Sequence, residues 1–175
     1  MKDEIQCNGL LHRKAVEGMK LFNEGKFFEA HEELETAWKD ETGAVRELYQ
    51  GILQIAVAYL HITRGNYEGS VKVYGRGLKR LKDWPDVCRR IQVRKFREDA
   101  KLVMKEVERL GKENIGRFDT SLFKQVVWNA AEDGDESRKW VCDRCGSEMH
   151  EKNCKVSCLN CGNRFDCSDL NIYFD

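Results

Sequence analysis

A chain of 175 residues with 41 % apolar content has room for one domain with a real core, or for one domain and a small appendage. Formal net charge is zero, from 30 Lys and Arg against 30 Asp and Glu. The start, MKDEIQCNGLL, lacks the basic-then-apolar pattern of a secretory signal, and no apolar run reaches the roughly 20 residues that a membrane-spanning helix needs.

The first helix is expected over residues 8–23, with Leu11, Ala15, Met19 and Phe22 on one face, Asn8 as N-cap and Gly25 as the stop. The second runs over residues 27–39, FFEAHEELETAWK, with Phe27, Ala30, Leu34, Ala37 and Trp38 as its stripe. A short polar link, Asp40 to Gly43, makes it an antiparallel neighbour of the next. Residues 44–64, AVRELYQGILQIAVAYLHITR, are the most apolar stretch. Apolar side chains on nearly every side predict a central helix wrapped by others, closed by Gly65-Asn66. A fourth helix over 67–84 carries Val71, Tyr74, Leu78 and Leu81, and Pro85, the sole proline, stops it. A fifth over 94–110 turns Phe96, Leu102, Val103 and Val107 inward, and residues 122–128 are a weaker helical candidate. Similar patterns over Leu21–Phe27 and Ile62–Tyr67 suggest two helix hairpins with alike turns rather than a solenoid.

Charge is distributed unevenly. Residues 72–112 hold 14 Lys and Arg against 6 Asp and Glu, while the flanking segments are acidic. Such a middle reads either as a nucleic-acid face, with Lys79, Arg80, Lys82, Arg89, Arg90, Arg94, Lys95 and Arg97 around Trp84 and Phe96, or as solvated helix faces with intramolecular pairing. The second reading is the more economical.

Residues 130–139, AAEDGDESRK, have the composition of a linker. Beyond it stand six of the eight cysteines, in the pattern Cys142-x-x-Cys145-Gly and Cys158-x-x-Cys161-Gly. Two Cys two residues apart reach one ion from a tight turn, and the following Gly permits the positive φ of that turn. Four thiolates make a closed tetrahedral site, so a structural zinc is the expected cofactor, with iron in a rubredoxin-like site as its rival. A ribbon this small draws most of its folding free energy from the metal. Cys154 and Cys167 read as small buried strand residues, with a second metal or a disulfide as the alternative. Cys7 and Cys88 read as inert packing thiols without a partner. Eight Cys without an export signal argue for a reducing compartment, hence a cytoplasmic protein. The second half of the motif resembles many small zinc-ribbon modules, a likeness that does not fix a function.

A candidate polar site lies on the helix pair. At roughly 100° per residue, His31 and Glu35 sit at the margin of the second helix's stripe, with Glu32 and Glu29 further round. On the central helix Glu47, Gln50, Gln54 and His61 fall along one line. Folding the pair together predicts a buried cluster of His31, Glu35, Gln50 and Gln54, with Glu47 near. It reads first as a hydrogen-bond network that fixes helix register, and second as a metal or proton-transfer site. Only His31 and Glu35 are firmly co-facial, and Glu35 stands where a zincin has its second His. His12 and His61 are further candidates from outside.

The run Phe22-Asn23-x-Gly25-x-Phe27-Phe28-Glu29-Ala30-His31-Glu32-x-Leu34-Glu35-x-x-Trp38, followed by Tyr49-Gln50-Gly51-Ile52-Leu53-Gln54-x-Ala56, His61 and Gly65-Asn66, resembles the family called domain of unknown function 309 over about residues 8–125. The resemblance implies a compact multihelical bundle. It maps an acidic-histidine signature onto Glu29, His31, Glu32, Glu35 and Trp38, with Gln54 and His61 on the partner helix. The ribbon is a departure from the usual family form.

The expected architecture is therefore all-α: a bundle of about five to six helices over 1–128, an acidic linker over 129–138, and a small β-type zinc ribbon over 139–175. Residues 138–175 hold 6 Lys and Arg and 6 Asp and Glu, a balance that favours a protein partner over phosphates. A zinc-binding adaptor is the leading functional reading. A metal-dependent enzyme on the His31/Glu35 seam and nucleic-acid binding through 72–112 are the alternatives. No phosphate-cradling Gly-rich loop, dinucleotide fingerprint or nucleophile elbow is present, and no membrane partner is expected.

Overall fold

The computed structural model describes residues 7–129, 140–142, 144–145, 147–152 and 155–166. The chain divides into two compact units, residues 1–130 and 131–175. The acidic linker apart from Asn129, together with Cys154 and Cys167, lies outside the described residues.

The first unit is built from α1 (Arg13–Asn23), α2 (Phe27–Asp40), α3 (Arg46–Thr63), α4 (Tyr67–Leu81) and α5 (Val93–Asn114), followed by single 3-10 turns at Ile115–Arg117 and Thr120–Leu122. α3 is the expected pillar: Leu48, Tyr49, Ile52, Ile55, Ala56, Ala58 and Tyr59 are all fully buried. α1 and α2 pack as one antiparallel hairpin and α3 and α4 as another, with Gly25 and Gly65 at positive φ in the two similar turns. Among the described residues no helix is long and apolar enough to cross a membrane.

Four details differ from expectation. α1 begins at Arg13, not Asn8, because the His12 side chain is the cap, its Nδ1 accepting from Lys14 N at 3.2 Å. Leu102 is 56 % exposed rather than inward; Val103, Met104 and Val107 carry the buried face of α5. Residues 123–129 are not helical. The backbone there forms a ladder with the 90–92 turn, through Gln92 N to Val127 O at 2.8 Å and Asn129 N to Arg90 O at 3.1 Å. Asn23 clamps the same segment by donating to Val126 O and accepting from Val126 N, both at 2.8 Å. Finally, Cys7 and Cys88 are not unpartnered thiols: they form a disulfide across 81 positions of sequence. The pairing follows from a tight turn in which Arg89 and Arg90 both take positive φ, the sign a type I′ turn requires. Arg89 N then donates to Cys7 O at 2.7 Å, which lays the N-terminal segment against the turn.

The second unit contains β1 (Trp140–Val141), β2 (Glu148–Lys152), β3 (Lys155–Cys158) and β4 (Arg164–Asp166), an antiparallel sheet in sequence order. Its registers pair Trp140 with Met149, Met149 with Cys158 and Val156 with Phe165. Among the described residues its buried core is Cys142, Met149 and Cys158, with Cys161 packed beside them.

Candidate metal centre and helix-pair polar residues

Two alike knuckles present the cysteines. Cys142 N donates to Ser147 O at 2.9 Å, and Cys158 N donates to Asn163 O at 2.8 Å. Gly162 takes φ +77°, the left-handed turn anticipated for the residue after the second pair. The four sulfurs lie within 4.8 Å of one another, with Cys142 to Cys161 and Cys145 to Cys158 both at 3.5 Å. A tetrahedral zinc with bonds of about 2.3 Å separates its sulfurs by roughly 3.8 Å, so the four side chains fit one ion.

The local hydrogen bonding already favours thiolate at part of the site. The Ser147 hydroxyl and backbone bring the Cys145 thiol down to about 6. Burial works against ionisation of Cys142, yet the Arg144 and Cys145 amides bring its thiol below the ordinary range. The Asn163 amide favours the Cys161 thiolate, but burial and the sulfurs of Cys142, Cys145 and Cys158 overcome it and push Cys161 up to about 12. Four sulfurs this close cannot all be anionic without a cation among them, and a coordinated thiol is deprotonated outright. Among the described residues these are the group of three or more His, Cys, Asp and Glu side chains whose ligand atoms converge.

The helix-pair residues are arranged otherwise. Glu35 of α2 reaches Lys39 at 3.2 Å, an exposed pair one turn apart. His31 is half-buried and Glu32 exposed. Gln50 is half-buried on α3. His61 Nδ1 lies 3.2 Å from the Asn66 amide nitrogen in the turn after α3. His12 Nε2 is 3.7 Å from Asp40. Glu47 is ion-paired with Arg80, and Gln54 lines a pocket with Arg76, Lys79 and Arg80, all from α4. Glu47 and Gln54 of α3 thus face α4, while His31 and Glu35 belong to α2.

Two glycines explain the choice of neighbour. A Cβ on Gly51 would stand 2.7 Å from Leu81 Cδ2, and one on Gly77 would stand 3.2 Å from both Gln54 Cβ and Gly51 O. Glu47, Gly51 and Gln54 share one helical face, and the missing side chains let α4 approach that face closely. The signal was present in the sequence as small residues at positions 51 and 77.

Residues 15–73 match the family model Domain of unknown function (DUF309). The match spans α1 to α3 and the first half of α4, narrower than the resemblance over 8–125 that the motifs suggest. Neither curated proteins nor solved structures give a match. His31, Glu35, Glu47, Gln54 and His61 fall inside the DUF309 stretch; the four cysteines and Arg76, Lys79 and Arg80 fall outside it.

Proposed function

We propose that the chain is a binding protein in which a helical domain carries a zinc-held ribbon as a docking module for a protein partner. The four-cysteine cluster is the observation that carries the reading. Four protein ligands fill a tetrahedral ion, which leaves no position for water or substrate, so the metal's role is structural. Zinc is the ion assigned because a thiolate tetrahedron without redox demand suits it. The ribbon's charge balance suits a protein surface better than a phosphate backbone.

The cations of the middle segment support the same choice. Arg94 pairs with Asp86 and Glu98, and Lys95 pairs with Asp99. Arg89 is held by Glu41 at 2.6 Å and by Leu10 O. Arg97 donates to the carbonyls of Leu81 and Lys82, both at 3.0 Å, where it caps the end of α4. Much of the positive charge is therefore used within the fold. Among the described residues, the metal-enzyme alternative has no group of three converging ligands that includes His31 and Glu35.

Metal analysis of the purified chain tests the reading. One zinc per chain is expected, lost in Cys145→Ser and in Cys158→Ser. A chain that takes up no zinc, or that holds two metal equivalents of which one survives both substitutions, overturns it. For docking, Cys158→Ser should lose the partners cross-linked by the parent chain. Unchanged cross-linking with zinc gone would refute the ribbon's role.

A further inference from the structure

The seam between α3 and α4 opens into a pocket of about 450 Å³ lined by Glu47, Gln54, Arg76, Lys79 and Arg80. Arg76, Lys79 and Arg80 stand at i, i+3 and i+4, which places them on one face of α4. Glu47 holds Arg80 from across the seam. Arg76 and Lys79 are exposed, and neither has an ion-pair partner among the described residues. Three cations face one carboxylate, an excess of two positive charges at the mouth of a concave site.

Behind the pocket wall two polar atoms lack partners. Gln54 Oε1 and Arg80 Nε are both shielded from solvent and have no hydrogen-bond partner among the described residues. Groups left that way are destabilising by roughly the desolvation cost of a lost hydrogen bond, and they are uncommon enough to call for an explanation. An amide, two guanidinium groups and an ammonium converging on one cavity is the donor set of an oxyanion site.

We propose that this pocket binds the phosphate monoester of a small hydroxylated molecule. A monoester carries a charge of about −1.5 to −2 at neutral pH, which matches the excess of two. Arg76 and Lys79 take the phosphoryl oxygens. Arg80, held in place by Glu47, forms the floor. The Gln54 amide turns its NH₂ to the phosphate or its oxygen to a ligand hydroxyl. Glu47 retains a lone pair for a second hydroxyl. The pocket's size and its acidic end favour a compact ligand over a nucleic-acid strand, whose successive phosphates would run past the Glu47 carboxylate. The inference does not depend on the ribbon or its metal.

The test is a titration of the ¹⁵N-labelled full chain at constant ionic strength with glycerol 3-phosphate, inorganic phosphate, glycerol and a short single-stranded RNA. Saturable shifts of the Gln54 side-chain amide and of the Arg76 and Lys79 backbone amides are expected with glycerol 3-phosphate. Inorganic phosphate should bind more weakly, and glycerol should do nothing. The double variant R76Q/K79Q, altered at two exposed positions, should keep its melting temperature and lose at least about tenfold in affinity. Non-saturating shifts, equal affinities for the monoester and for inorganic phosphate, or unchanged affinity in the double variant would each overturn the proposal. RNA binding without monoester binding would replace it with the nucleic-acid reading.

Discussion

At Gly51 a single hydrogen in place of a methyl group decides which two helices share a seam. Leu81, which a Cβ there would meet at 2.7 and 2.8 Å, is fully buried, so it has no free space to turn into. Gly51→Ala should therefore cost about 1–3 kcal/mol through overpacking, read as a lower denaturation midpoint at constant slope. Gly75→Ala is the matched control: its added Cβ meets nothing within 4 Å, and removing a helical glycine should stabilise by about 0.5–1 kcal/mol. If both changes stabilise alike, the close approach of α3 and α4 is wrong. Residue-scale legibility has the same boundary. Helical spacing places Glu47 and Gln54 on one line. It does not say which neighbour that line meets, because a short link fixes the antiparallel sense of α2 and α3 but not the rotation of α3 about its axis. That rotation is set where side chains are small enough for backbones to touch.

Among the elements, the five helices were legible because each carries a 3.6-residue apolar stripe, and α1, α3 and α4 also meet a stop at Gly25, Gly65 or the Pro85 region. Residues 122–128 were not. Phe123, Val126 and Trp128 are apolar enough for a helix, but the backbone groups there find partners in Arg90, Gln92 and Asn23, and such long-range pairing overrides local propensity. The Cys7–Cys88 bond was equally hidden, since pairing depends on a turn at residues 89–90 that two arginines do not advertise. Arg89 holds that turn through Glu41, a pair with side chains only 16 % and 14 % exposed, and lies 3.4 Å from the Tyr49 hydroxyl. A closure spanning 81 positions restricts the unfolded chain considerably. The double variant Cys7→Ser with Cys88→Ser should lose roughly 2–4 kcal/mol, followed by helical circular dichroism in guanidinium under non-reducing conditions. A midpoint equal to that of the parent would mean that the bond adds nothing to the helical unit.

On the scale of the whole molecule, the proposed zinc site would give the two units different sources of stability. The first has a continuous apolar core that includes the edge-to-face ring contacts of Phe22, Phe27 and Phe96 and the stacked Tyr59–Phe123 pair at 4.6 Å. Among the described residues, the buried apolar cluster of the second is Cys142, Met149 and Cys158. Cysteine spacing made the four-cysteine cluster legible in advance, because the geometry of two Cys-x-x-Cys pairs is local. The basic middle was less legible: net charge along a segment does not reveal that Arg94, Lys95 and Arg97 are engaged within the fold. From the difference in cores follows a difference in response to metal removal. A strong chelator should abolish the ribbon's ordered amide signals and expose residues beyond 130 to protease, while the helical unit keeps its circular dichroism and its melting temperature. Returning zinc should restore protection, since the binding free energy is the ribbon's folding free energy. Should the chelator lower the helical melting transition as well, the two units would share stability, and the picture of a self-sufficient bundle carrying a metal-dependent module would fail.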